Sequence, residues 1–112
     1  MEQFLALLAT QPNEVMFEQT MQVIDEHFDF TPVSFANGDT ENQAGQNNGS
    51  CKIFAFAQIK ELDEQSTLAC FGQYYREDVL KNPEGTDHAN IRNFIKYGWE
   101  GVKFDGVALA AK

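Results

Sequence analysis

Residues Phe35 to Ala57, FANGDTENQAGQNNGSCKIFAFA, decide how this chain folds. The first part is almost entirely Asn, Gln, Gly, Asp and Thr. Ser50-Cys51-Lys52 then opens a run with apolar residues at Ile53, Phe54, Phe56 and Ala57. Ser50 is a good helix N-cap type, because its hydroxyl can accept one of the first free backbone N–H groups. A helix from there to about Leu62 puts Phe54, Ala57 and Glu61 on one face and Ile53, Phe56 and Lys60 on the next. A buried strand is the rival, since Ile and Phe also suit a pleated sheet. The length of the run and its lack of Gly and Pro favour the helix. A polar loop of about a dozen residues leading into a buried element is unusual in a small domain, and such loops are commonly functional.

Upstream, Phe4, Leu5, Leu7 and Leu8 predict a short apolar helix ending near Thr10. Pro12 fits a first helical position, with Gln11 or Thr10 as cap. Val15, Met16, Val23, Ile24 and Phe28 then follow helical spacing. Residues 29–35 read as a short extended piece, placed at a sheet edge because Pro32 lacks a backbone donor. Asn37-Gly38 is a turn dipeptide, but no apolar strand follows it. The chain is therefore expected to run straight into the polar loop.

Downstream, Asp63 or Ser66 caps a helix carrying Leu68, Phe71, Tyr75 and Val79, which Pro83-Glu84-Gly85 ends. Thr86 or Asp87 starts another, with Ile91, Phe94 and Ile95 inward and Gly98 as its stop. Trp99 is expected to seal the edge of the core. Val102 and Phe104, then Val107 and Leu109, flank Asp105-Gly106, which predicts a hairpin over 102–109. The fold expected is α+β: one mostly helical domain over residues 1–112, with a small antiparallel sheet made of that hairpin and an edge strand near 29–35.

Bulk properties narrow the function. With 112 residues, 43% of them hydrophobic and ten of them Phe, the chain can bury a core without staples. Its formal charge is −9, and all eight basic residues lie from Lys52 onward. Nucleic-acid backbones and anionic membranes both call for clustered Lys and Arg, so neither is an expected partner. A protein partner or a small ligand is. Cys51 and Cys70 are expected as free thiols in a reducing compartment. No apolar run approaches a bilayer span, and Glu2 stands where an export signal needs basic residues. These features predict synthesis in the cytoplasm, without entry to the general export route.

The residues that can carry chemistry are few. Cys51 in the first turn of a helix beside Lys52 would have its thiolate favoured by the dipole and the cation. His88 could then take the proton, with Asn90 or Asp87 orienting the ring. The plainer reading is a structural cysteine at a helix start. Gly45, Gly49 and Lys52 do not meet the phosphate-loop pattern. An isolated anion at the helix N-terminus is the weaker nucleotide-free variant of that idea. His27 and His88 lack partners at metal-ligand spacing, so no metal and no cofactor are expected. Tyr75, Arg76, Asp87 and Arg92 form a second polar concentration, in which the arginines either hold an anion or pin the backbone.

NGDTENQAGQNNGSCKIFAFA, TLACFGQYYREDVLKNPEGTDHANIRNF and YGWEGVKF together resemble the HopJ type III effector family of Gram-negative bacteria. The likeness spans nearly the whole chain and is weakest over residues 1–28. It implies an effector-like protein of unknown biochemical activity, secreted into a host by the type III route, with no known cofactor. Positions matching its motifs include Asn37, Asn42, Asn47, Ser50, Cys51, Tyr75, Arg76, His88, Asn90 and Arg92. The leading expectation is a binding module, leaning away from an enzyme, whose polar site joins the 37–52 loop to residues 75–92. The alternatives are a resident cytoplasmic bacterial protein, or a thiol hydrolase or transferase using Cys51 and His88.

Overall fold

At the centre of the computed structural model, which describes residues 1–112, lies helix α3, Asn48–Ile59. Cys51 and every residue from Ile53 to Ala57 are buried. A helix apolar on nearly every face is stable only when other elements enclose it. The Phe54 ring meets Phe35 at 6.1 Å, Phe71 at 5.5 Å, Phe94 at 5.1 Å and Trp99 at 6.2 Å. Phe56 meets Phe4 and Phe28, each at 6.1 Å and edge-on. Removing a ring so placed costs about 3–5 kcal/mol, which makes α3 the main source of core stability. Trp99 also packs edge-on to Phe94 at 5.0 Å, closing that side of the core. The helix starts three residues, nearly a full turn, earlier than expected. Asn47, at φ 53°, is its N-cap, and Ser50 lies inside the first turn. Asn tolerates this left-handed conformation better than most residues do.

Two helices cover one side. Helix α1, Glu2–Thr10, buries Phe4 and Leu8. A 3₁₀ turn, Pro12–Glu14, takes the proline at its first position. Helix α2, Phe17–His27, then begins where the Gln19 side chain accepts the Met16 N–H at 2.9 Å. It buries Thr20 and Ile24, and the Thr20 hydroxyl donates to the Cys70 carbonyl at 2.8 Å.

The strands are β1 Phe28–Phe30, β2 Phe35–Asn37, β3 Thr40–Asn42, β4 Val102–Phe104 and β5 Leu109–Ala111. All pairings are antiparallel. They form a two-stranded sheet, β1-β5, and a three-stranded sheet in the order β3-β2-β4. The predicted 102–109 hairpin does not form. β4 pairs with β2, matching Phe35 to Phe104 and Asn37 to Val102, while β5 pairs with β1, matching Phe28 to Ala111. Between the two sheets Thr31 N–H reaches the Ala108 carbonyl and Asp105 N–H the Ser34 carbonyl. Residues 102–111 therefore lie along residues 28–37 as one interrupted ribbon. The interruption falls at Pro32, which has no donor to give, and Gly106 passes close to Val33 there. Asp105-Gly106 crosses that gap instead of reversing the chain. Asn37-Gly38 does make a hairpin, β2-β3, with Gly38 at φ 60° and a polar partner strand.

Helix α4, Glu64–Ala69, is capped as expected by Asp63, whose carboxylate accepts the Ser66 N–H at 2.7 Å. The continuous helix predicted through Val79 breaks at Gly72, φ 60°, which packs against the backbone of Met16 and Phe17. A π-helical turn, Tyr74–Val79, follows, with Leu80 N–H bonded to the Tyr75 carbonyl. Helix α5, Ala89–Tyr97, starts two residues late, after His88 in a left-handed cap at φ 51°. Ile91 and Phe94 are buried, but Ile95 faces outward at 47% exposure. Gly98, φ 65°, ends the helix. No helix is long and apolar enough to cross a membrane.

Candidate functional site

The polar stretch is bound to the start of α5 by four asparagines. Asn90 Nδ2 donates to Asn42 Oδ1 at 3.0 Å, and Asn42 Nδ2 donates back to Asn90 Oδ1 at 3.1 Å. Asn37 Nδ2 donates to the Asn90 carbonyl at 2.8 Å and to Asn90 Oδ1 at 3.1 Å. Asn47 Nδ2 completes the set on Asn42 Oδ1 at 2.7 Å. Asn37, Asn42 and Asn90 are buried. A short amide carries both donors and an acceptor, so each residue can give and receive in one plane, which neither Asp nor Leu could do. Asn37 Oδ1 is the one buried side-chain polar atom without a protein partner. The β2-β3 hairpin supplies Asn37 beside its turn, paired with Thr40, and Asn42 at its open end, paired with Phe35. These two amides are buried, while residues 43–48 of the same stretch stay exposed.

Beside this network is a cavity of about 310 Å³. The polar stretch contributes Asn47, Gly49 and Ser50; the start of α5 contributes His88, Ala89, Asn90 and Ile91; Phe17, Phe71 and Tyr74 form its apolar wall. Both helices enter it by their N-termini, and neither Asn47 nor His88 caps its own helix through its side chain. His88 Nε2 lies 3.0 Å from Asp78 Oδ2, and its ring stacks on Tyr74 at 5.3 Å. The imidazole is thus held from both sides.

Arg92 fastens the segment behind His88. It donates to the backbone carbonyls of Asp87 at 2.6 Å, Asn82 at 2.8 Å and Asp78 at 3.4 Å, and to the Asp87 carboxylate at 2.6 Å. Its hydrogen bond to Asp87, more than its charge alone, holds that carboxyl below the usual carboxylate range. Arg92 and Asp87 are pins of the backbone rather than open ligand groups.

The thiol arrangement that the alternative reading requires is not assembled. Cys51 is 1% exposed and its sulfur turns toward the Val33 carbonyl at 3.9 Å. Burial pushes its pKa up, outweighing that contact, so the thiol is held neutral, unlike the helix-start thiolate that the thiol-enzyme alternative needs. Lys52 points away, to Asp25 at 2.8 Å and over the Phe30 ring. His88 is turned to Asp78 and Asn90 to Asn42, so Cys51, His88 and Asn90 serve three separate contacts.

The predicted single site also divides. Tyr75 and Arg76 line a second cavity, of about 430 Å³, with Leu8, Pro12, Asp63 and Gln65. Tyr74, not Tyr75, is the tyrosine at the first cavity. Adjacent residues on a helical turn point well apart, so only one of the pair can share a face with His88. Asp78, which positions His88, was overlooked as a site residue. Its spacing of four from Tyr74 was the available signal, since such residues lie side by side.

Comparison with known proteins agrees with this architecture. The family model described as "HopJ type III effector protein" matches residues 1–109. No curated protein matches the chain. A solved structure, described as "Crystal structure of unknown function protein VPA0580", is 57% identical, with a TM-score of 0.99 over 100% of this chain and 93% of that one. The match over nearly the whole chain, together with that likeness, establishes that the protein belongs to the HopJ type III effector family.

Proposed function

We propose that the protein is an effector-type binding module whose recognition site is the cavity between the polar stretch and the start of α5. The observation that carries this reading is that Asn47, Gly49, Ser50, His88 and Asn90, from segments about forty residues apart, line one concave space. Its volume lies at the small end of ordinary ligand sites. The occupant it suits is a small polar ligand rich in acceptors, or an equivalent side chain of a partner protein. Backbone N–H groups at two helix starts and the Ser50 hydroxyl would serve the acceptors, and the Tyr74–His88 stack would cover a flat face. Recognition is favoured over turnover because the three candidate catalytic side chains are committed to different structural contacts.

A ¹H–¹⁵N NMR titration with inorganic phosphate, glucose 6-phosphate and citrate tests the site. Saturable shifts at Gly49, Ser50, Ala89 and Asn90 with at least one probe, weakened in Ser50→Ala, are expected. Silence at all four amides with every probe would refute it. Delivery by the type III route is the other half of the proposal. A translocation reporter fused to the chain should enter host cells only when the secretion apparatus is intact.

A further inference from the structure

The chain has two arginines, and they are used in opposite ways. Arg92 has its donors committed to carbonyls and a carboxylate. Arg76 has only the Pro12 carbonyl at 3.5 Å and the Met16 sulfur at 3.7 Å, and forms no salt bridge despite the protein's net charge of −9. A guanidinium carries five N–H donors in a planar fork and is always charged, so two long contacts leave most of its bonding capacity unused. It is half-buried rather than free in solvent, and it lines the cavity of about 430 Å³ between the 3₁₀ turn after α1 and the α4–π-turn segment. Leu8, Ala9 and Pro12 give that cavity an apolar side, while Gln65 and Asp63 add polar groups.

From this geometry we infer a second binding site, distinct from the cavity at His88, for a monocarboxylate with a small apolar body. The planar fork of Arg76 takes a carboxylate bidentately, and the charge-assisted pair so formed is stronger than a neutral hydrogen bond. Leu8, Ala9 and Pro12 bury the apolar body. Asp63, in the same cavity, selects against a second negative charge: its carboxylate repels a phosphate dianion more than a single carboxylate. The ligand class is therefore a singly charged acid, not a phosphate ester.

The test is titration of the full ¹⁵N-labelled chain with hexanoate, hexanol and hexyl phosphate, read at the Arg76 Nε–H, the Gln65 side-chain amide and the Asn13 and Ser66 backbone amides. Hexanoate should give saturable shifts there. Hexanol should give none, and hexyl phosphate should bind more weakly than hexanoate. Arg76→Gln should lose at least about tenfold in hexanoate affinity, equivalent to about 1.4 kcal/mol. Arg76→Lys, which keeps the charge but not the fork, should lose several-fold. Unchanged amide spectra elsewhere will show that both variants fold. Equal binding of hexanoate and hexanol, unaltered affinity in Arg76→Gln, or tighter binding of hexyl phosphate would each overturn the assignment. Shifts confined to Ser50 and Asn90 would also overturn it, by moving the ligand to the first cavity.

Discussion

Asn42 and Asn90 exchange side-chain hydrogen bonds in both directions, at 3.0 and 3.1 Å, across 48 residues of sequence. The exchange buries Asn42 and ties the otherwise exposed polar stretch to the start of α5, beside the cavity that Asn47, Ser50 and His88 line. Polar networks of this kind specify one arrangement strongly, because any slip leaves several buried groups unpaired at once. Replacing Asn90 by Ala should therefore destabilise the fold by about 1–3 kcal/mol in urea unfolding, since it strands donors on Asn37 and Asn42. An unchanged midpoint would show that the network contributes nothing.

The Arg92 pin gives a prediction with a pH dependence. Arg92→Ala should cost about 2–3 kcal/mol through its lost bonds to backbone carbonyls. Asp87, whose folded pKa is lowered by Arg92, adds a stabilising contribution that is complete above its ordinary value of 3.8 and disappears as pH falls through the lower folded value. Asp87→Asn should remove that part of the acid sensitivity and leave stability at neutral pH with a smaller slope toward low pH. Thermal melts from pH 2 to 7 check this. A wild-type slope in Asp87→Asn would contradict it.

The two thiols should be silent in the native protein. Cys51 is buried with its pKa raised, and burial pushes the Cys70 thiol up to about 12. Iodoacetamide at neutral pH should label neither until the chain unfolds. Because the folded state holds both thiols protonated, their contribution is present below the ordinary thiol value of 9.0; it is lost as pH rises through each raised folded value, about 12 for Cys70. Rapid native labelling of Cys51 would restore the thiol-enzyme reading.

Gly72 is the third structural requirement. It sits at φ 60°, and an added Cβ would lie 2.8 Å from the Met16 carbonyl carbon, in backbone that cannot yield as a side chain can. Gly72→Ala should lower stability by more than about 1 kcal/mol, through the left-handed conformation and the clash together. It should also disturb the Tyr74–His88 stack, which the π-helical turn after Gly72 positions. Neutral behaviour in a melt would refute the close approach.

Much of this was legible in the sequence. Periodicity over Ile53–Ala57 located the central helix, and Asp63 and Gly98 marked a start and a stop correctly. Asn37, Asn42, Asn47 and Asn90 stood out by type, and they do converge. What failed depended on long-range competition. A two-residue turn at Asp105-Gly106 was locally plausible, but strands 28–30 and 35–37 offered residues 102–111 a longer ladder. Ser50 had the right cap chemistry, yet Asn47 could adopt a left-handed cap and start the helix earlier. An activated Cys51 stayed open as an alternative because sequence shows helix position but not depth, and depth decides its pKa. Tyr75 and Arg76 seemed to belong with His88 because they are near it in sequence, whereas the break at Gly72 directs them to another face.

The account rests on the polar stretch and the start of α5 forming one locked unit. A double-mutant cycle of Asn42→Ala and Asn90→Ala, with stabilities from urea unfolding, measures that lock directly. The account predicts a coupling of about 0.5–3 kcal/mol, with the double variant little worse than either single one. Strictly additive losses would contradict it.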